Sequence, residues 1–195
     1  MRTDIILSGV GGQGILSIAT IIGAAAIREG LYIKQAEVHG MSQRGGDVQS
    51  NLRLSSEPIA SDLIPLGGAD LIISLEPMEA LRYLPYLRKD GWLITNTAPF
   101  VNIPNYPDEA GMMERIRSLD HSVAMDVDSI ARKVATPRAA NIVLLGAASP
   151  FLGIEVDKME ESIRTIFGRK GEAVVEMNRK AFRAGLEMAE QSIKR

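Results

Sequence analysis

Gly9-Val10-Gly11-Gly12-Gln13-Gly14 stands between an apolar run, Ile5-Ile6-Leu7, and a helix-like segment that begins Ile15-Leu16-Ser17-Ile18-Ala19. A G-x-G-x-x-G spacing carries chemical meaning only in that setting of strand, turn and helix. Glycine lets the backbone turn sharply and come close to a ligand. The helix N-terminus behind it offers unpaired N–H groups and a partial positive charge to an anion. Gly9, Gly11, Gly12, Gln13 and Gly14 are therefore expected to contact a phosphate-sized or carboxylate-sized group. The same glycines would also serve close strand–helix packing with no ligand at all.

A second donor-rich stretch is His39-Gly40-Met41-Ser42-Gln43-Arg44-Gly45-Gly46. Arg44 could clamp a phosphate or carboxylate. Ser42 adds a hydroxyl, and Gly45 and Gly46 would let backbone N–H groups face the same anion. The plainer reading is a turn with a solvated arginine. Open α/β sheets bind ligands at the C-terminal ends of their strands, and both stretches follow a strand, which favours the functional reading. A free imidazole changes charge near neutrality, so His39 could act as a base, but no serine or cysteine stands in a nucleophile elbow and the other histidine is His121, so a hydrogen-bonded structural histidine is the plainer reading. Glu37 sits where a nicotinamide dinucleotide fold places its ribose-binding acid. Glu76 either faces the same sheet edge or caps a helix. Asn141 lies within an apolar segment, so its amide is expected to be hydrogen-bonded. There is no H-E-x-x-H, no metal-spaced carboxylate cluster and no G-x-x-x-x-G-K-[ST], which argues against a zinc hydrolase and an ATPase.

Those groups need a scaffold, and the hydrophobic pattern predicts one. A first strand is expected over about Asp4–Ser8 and a first helix over about Gly12–Glu29, stopped by Gly30. Leu31–Glu37 reads as a strand and Val38–Gly46 as a polar loop. Val48, Ser50, Leu52 and Leu54 alternate with Gln49, Asn51 and Arg53, the period of a strand with one wet face, expected as an antiparallel edge. Ala69–Leu75 and Gly91–Asn96 read as buried strands. Between them a helix opens at Glu76-Pro77, with Ala80, Leu81, Leu84 and Leu87 as its apolar stripe. Thr97–Pro107 reads as an extended loop and Ser122–Met125 as a last short strand, with Asp128 capping the following helix. The final third reads as helical: a short apolar segment Pro137–Gly146, a helix Asp157–Phe167 ended by Gly168, and a long helix striped by Val174, Met177, Ala181, Ala184 and Met188. The expected fold is α/β, a three-layer α/β/α arrangement around a Rossmann-like, mostly parallel sheet.

Composition narrows the function classes. A length of 195 residues suits one domain, taken as residues 1–195. Lys and Arg total 22 against 24 Asp and Glu, so no basic field draws in nucleic acid. With no cysteine, the sequence holds no disulfide, Cys-ligated zinc or iron–sulfur cluster. No apolar run approaches the roughly 20 residues needed to span a membrane. No signal peptide is read at the start, and a cytoplasmic location is the default expectation.

Taken together, Gly9–Gly14, Glu37–Gly46 and Asn141-Ile142-Val143-Leu144-Leu145-Gly146 resemble the gamma domain of the 2-oxoacid:ferredoxin oxidoreductases, in order and over nearly the whole chain. The resemblance implies oxidative decarboxylation of a 2-oxoacid, an aryl pyruvate such as indolepyruvate, on thiamine diphosphate. Electrons would pass through iron–sulfur clusters to ferredoxin and the acyl group to coenzyme A. It also implies a larger alpha subunit that carries the thiamine diphosphate and the clusters, since this chain has no cysteine and no G-D-G…N-N signature. No cofactor would be bound tightly by this chain, no catalytic residue is assigned to it and no metal is expected on it. Gly11, Gly12, Gln13 and Gly14 would approach the pyrophosphate of coenzyme A, and Ser42 and Arg44 would contact phosphate or face the partner's cofactor. Two other readings stay open at this point: a free-standing NAD(P)-dependent oxidoreductase, and an interaction module that binds no small molecule.

Overall fold

The computed structural model describes residues 1–39, 45–101 and 103–193, with the backbone alone at His39. The elements are β1 (Arg2–Val10), α1 (Ile15–Arg28), β2 (Tyr32–His39), β3 (Asp47–Ser55), β4 (Ala69–Ser74), α2 (Pro77–Arg82), β5 (Leu87–Asn96), α3 (Glu109–Arg117), β6 (Ser122–Met125), α4 (Val127–Val134), α5 (Ala140–Ala148), α6 (Val156–Phe167) and α7 (Glu172–Ile193). Six strands form one sheet in the order β2-β3-β1-β4-β5-β6. β1, β4, β5 and β6 are mutually parallel, whereas β3 runs antiparallel to both β1 and β2. Successive residues of β1 point to opposite faces. Ile5 and Leu7 enter the larger core, beneath α1, α4, α5, α6 and α7, while Ile6 enters the smaller core beneath α2 and α3. The three-layer α/β expectation is borne out.

β3 corrects one expectation. It is not an edge strand but lies between β1 and β2, and its polar face is not wet. Residues 56–66 fold across that face. Asn51 Oδ1 accepts from the Ile64 N–H at 3.1 Å, and Arg53 Nη1 donates to the carbonyls of Ser61 and Leu63 at 3.0 and 2.9 Å. The buried Arg53 guanidinium is neutralised by Asp4, to which Nε and Nη2 donate at 2.7 and 3.0 Å. A two-residue alternation reports the polarity of a strand face, not what later chain will cover it.

Helix boundaries shift for local reasons. α1 starts at Ile15 rather than Gly12 because Gly12 and Gly14 take φ of 104° and 89°, outside the right-handed helix. Asp126, not Asp128, caps α4, accepting from the Ser129 N–H at 2.9 Å, while Asp128 lies inside the helix. Leu87 opens β5 instead of extending α2. α6 ends at Phe167 with Gly168 as its C-cap, as expected, although Gly168 itself is helical and the chain turns away at Gly171, where φ is 97°.

The stripe expected on α7 is rotated. Val175, Asn178, Ala181, Phe182, Gly185 and Ala189 are buried, whereas Met188 is exposed. The cause is α5, whose residues Asn141 to Ala148 are all buried. A helix that is apolar all round must be covered all round. α7 crosses it with backbone against backbone: a Cβ at Gly146 would overlap the Phe182 carbonyl, and one at Gly185 the Val143 carbonyl.

Gly146→Ala and Gly185→Ala are each expected to lower stability by about 1–3 kcal/mol or more, because a packed core must open to admit a methyl group. Chemical denaturation checks this, and an unchanged midpoint in both variants would mean the helices do not meet there. A second prediction concerns acid. Glu160 on α6 is held below the ordinary carboxylate value of 4.5 by hydrogen bonds from Arg183, with Arg179 adding to them. A depressed carboxyl stabilises the fold above its unfolded pKa and loses that contribution as pH falls through the folded one. Glu160→Gln should therefore flatten the fall in melting temperature below about pH 4.5 and lower stability at neutral pH.

Candidate functional site

The glycine turn uses its glycines in two ways. A Cβ at Gly9 would lie 2.8 Å from Ile15 Cδ1 and 2.9 Å from Gln13 Oε1, and one at Gly14 would lie 2.6 Å from Asn141 Nδ2. Those two positions answer to packing. Gly12, with its positive φ, faces open space. Gln13 closes the turn: Oε1 accepts from the Val10 N–H at 2.7 Å, and Nε2 donates to the Leu75 carbonyl at 3.1 Å. Gly11 donates its N–H to Gly46 O at 2.9 Å, which brings the end of the 39–46 stretch against the turn. Among the described residues, the N–H groups of Gly12, Gly14, Ile15 and Leu16 have no hydrogen-bond partner. They lead into and open α1, where the helix dipole adds positive potential.

Beside them opens a cleft of about 350 Å³, walled by Gly12, Gln13, Gly14, Ser17, Leu75, Asn96, Asp128, Pro137, Arg138, Ala140 and Asn141. Its walls stand at the C-terminal ends of β1, β4 and β5, the usual ligand crevice of an open α/β sheet. Asn96 knits this end together. Its Nδ2 donates to Leu75 O at 3.3 Å and Asp128 Oδ2 at 2.9 Å, and its Oδ1 accepts from the Val127 N–H at 3.2 Å. Asn141 Nδ2 donates to Gly14 O at 3.2 Å, so the expected hydrogen bond of this buried amide is present. Its Oδ1 is buried with no partner among the described residues. Arg138 is exposed and forms no ion pair among the described residues. A second cleft of about 390 Å³ shares Ser17, Arg138 and Asn141 and continues to Phe167, Lys170 and Met177. Lys170 Nζ lies 5.7 Å from the centre of the Phe167 ring.

The other expected site residues divide. Ser42 and Arg44, with Gly40, Met41 and Gln43, lie outside the described residues. Gly45 takes φ of 79° next to Gly46, close to the turn. Glu37 lies within β2, opposite Ser50, and Ser50 in turn pairs with Leu7, so β3 stands between Glu37 and β1. Glu76 is fully buried and is not a wall of the cleft. It caps α2, accepting from the Glu79 N–H at 2.8 Å, and its other oxygen accepts from the Phe100 N–H at 3.3 Å and from the Tyr106 hydroxyl. Burial first, and then that hydrogen bond to Glu76, push the Tyr106 phenol up. Burial likewise pushes the Glu79 carboxyl up, against the opposing hydrogen bond from Arg82. His121 stacks on Trp92 with centroids 5.0 Å apart, at the end of β6 remote from the cleft.

Sequence reasoning missed Asn96, Pro137 and Arg138 as walls of the cleft. A polar residue closing a buried strand was a usable signal at Asn96, because β5 ends at the same sheet edge as Leu75. Nothing local marked Arg138. A larger cavity, about 680 Å³, lies at the opposite end of β1 between Arg2, Asp4, Arg53 and residues 54–61. Its buried charges are engaged with one another. Among the described residues no group of His, Cys, Asp or Glu is placed to hold a metal ion, and no helix is long and apolar enough to cross a membrane.

Comparison with known proteins adds a family to this geometry. The model of the pyruvate ferredoxin/flavodoxin oxidoreductase family matches residues 4–188. An indolepyruvate oxidoreductase subunit IorB from Archaeoglobus fulgidus is 36% identical over 198 residues, covering 97% of this chain and 96% of the relative. The crystal structure of a keto/oxoacid ferredoxin oxidoreductase gamma subunit from Geobacter sulfurreducens superposes with a TM-score of 0.70 at 28% identity, covering 97% of this chain and 99% of that one. A 2-oxoglutarate:ferredoxin oxidoreductase from Magnetococcus marinus, solved with 2-oxoglutarate, coenzyme A and succinyl-CoA bound, gives a TM-score of 0.77 at 23% identity, a likeness of fold. This chain covers 97% of its own length in that match and 31% of the longer chain.

Proposed function

The chain belongs to the pyruvate ferredoxin/flavodoxin oxidoreductase family, and from that premise we propose that it is the accessory subunit of a 2-oxoacid:ferredoxin oxidoreductase acting on aryl pyruvates such as indolepyruvate. The whole of residues 1–195 is read as one gamma-type domain, inactive alone. The observation that carries the reading is a cleft able to take phosphates on a chain that cannot hold the redox groups. Iron–sulfur clusters need cysteine thiolates, and the sequence has none. The clusters and the thiamine diphosphate therefore belong to a larger partner subunit, through which ferredoxin is reached. The residues here fit coenzyme A instead. The unpaired N–H groups of Gly12 and Gly14, which line the cleft, would hold its pyrophosphate together with those of Ile15 and Leu16 beside it, with Arg138 supplying positive charge. When bound, coenzyme A supplies the thiol that accepts the acyl group. The role of this chain is to bind and orient the ligand toward the partner. Ser42 and Arg44 remain in the proposal as phosphate contacts on sequence grounds.

The nicotinamide reading loses the acidic residue expected beside its glycine turn. With strands spaced ~4.8 Å apart, the inserted β3 leaves Glu37 roughly 10 Å from the line of β1, too far to serve a ribose held at the glycine turn. The interaction-module reading leaves the unpaired N–H groups and Arg138 at the cleft without a role. A soluble enzyme complex in the cytoplasm fits the proposal.

Affinity purification of the tagged chain from its native host should yield a brown complex with a larger subunit. That complex should reduce viologen when given indolepyruvate and coenzyme A. A colourless, partner-free chain that binds NAD and not coenzyme A would overturn the proposal.

A further inference from the structure

We propose that Gln13 is a positioning residue, an amide clip that holds the glycine turn open to phosphate rather than a ligand contact itself. The inference rests on the reading that the cleft takes the phosphates of coenzyme A. Both ends of the Gln13 amide are engaged by backbone: Oε1 by the Val10 N–H at 2.7 Å, Nε2 by the Leu75 carbonyl at 3.1 Å. The Gln13 N–H also donates to Val10 O at 3.1 Å, so residues 10 and 13 are bonded to each other in both directions. The parallel ladder between β1 and β4 ends where the Leu75 N–H donates to Ser8 O at 3.0 Å. Beyond that point Gln13 spans the crevice and takes the place of the missing ladder bond. Gly9 is part of the same device, because any side chain there would meet Gln13 Oε1.

The consequence for binding is preorganisation. An anion gains most from N–H groups whose spacing is fixed before it arrives, since the cost of ordering them is already met. The N–H groups of Gly12, Gly14, Ile15 and Leu16 flank Gln13 on both sides. Fixing the side chain of Gln13 to β4 fixes their directions relative to the sheet.

The test uses the complex assembled with its partner subunit and three variants. Gln13→Leu removes both bonds, and Gln13→Glu keeps the acceptor, loses the donor and adds a negative charge beside the cradle. Arg138→Ala changes the cleft without touching the turn. Loss of the clip in Gln13→Leu should raise the dissociation constant and KM for coenzyme A about tenfold while leaving the KM for the 2-oxoacid unchanged. Gln13→Glu, which is isosteric and expected to fold, should bind coenzyme A more weakly than wild type, with the deficit widening as pH rises through the carboxyl range. If Arg138→Ala weakens coenzyme A but both Gln13 variants bind it as wild type does, with only a lower melting temperature, the inference falls and the cleft reading stands. If none of the three changes coenzyme A binding, the cleft reading falls, and the inference with it.

Discussion

The contact on which the rest of the molecule depends is the crossing of α5 and α7. α5 is buried on every side and lies on the sheet, so its depth is set by what packs on its outer surface. Gly146 and Gly185 let α7 approach until main chain meets main chain. That seats α5 low enough for Asn141, near its N-terminus, to reach Gly14 O, and it carries Pro137 and Arg138 to the rim of the cleft. One wall of the cleft is built from Gly12, Gln13, Gly14 and Ser17, but the wall facing it is delivered by a helix pair more than a hundred residues later. A methyl group in the wrong place on α7 would be felt at the glycine turn.

Side-chain amides then fix the details. Gln13, Asn96 and Asn141 each join segments distant in sequence or bridge the turn to a strand end. An amide both donates and accepts, so one side chain can satisfy an N–H and a C=O at once. Carboxylates do different work: Glu76 caps α2 and ties down Phe100 and Tyr106 behind the cleft, and Asp4 neutralises Arg53 at the opposite end of the sheet. The two kinds of group are segregated, with Asp128, bonded to Asn96, as the carboxylate in the cleft wall.

Much of this was legible in the sequence, where local chemistry decides. The order of β1, the glycine turn and α1 follows from Ile5-Ile6-Leu7, the glycines and the Ala/Ile helix, and the sheet-and-helix architecture follows from the alternation of apolar runs. What was not legible depends on chain arriving from elsewhere. β3 looked half-wet because nothing in its own residues says that 56–66 will cover Asn51 and Arg53. The face of α7 was misjudged because a glycine counts as neutral in a hydrophobic stripe, yet Gly185 is the point of closest approach. Arg138 was invisible as a site residue because its place is set by α5. Gln13 was visible in the motif, but its hydrogen-bonding partners on β1 and β4 were not.

The insertion of β3 also bears on how the chain comes together. β2 and β3 are antiparallel neighbours in sequence and in the sheet, and β3 also pairs with β1, so three adjacent strands come from residues 2–55. Contacts between segments close in sequence require little loop closure and form readily, whereas distant ones must wait for more of the chain to be ordered. Leu75, Asn96 and Asn141 all belong to the later, more distant set. The cleft is therefore built mainly from long-range contacts: the bonds between Gln13 and Val10 are local, but the walls that face them come from segments that must close much larger loops.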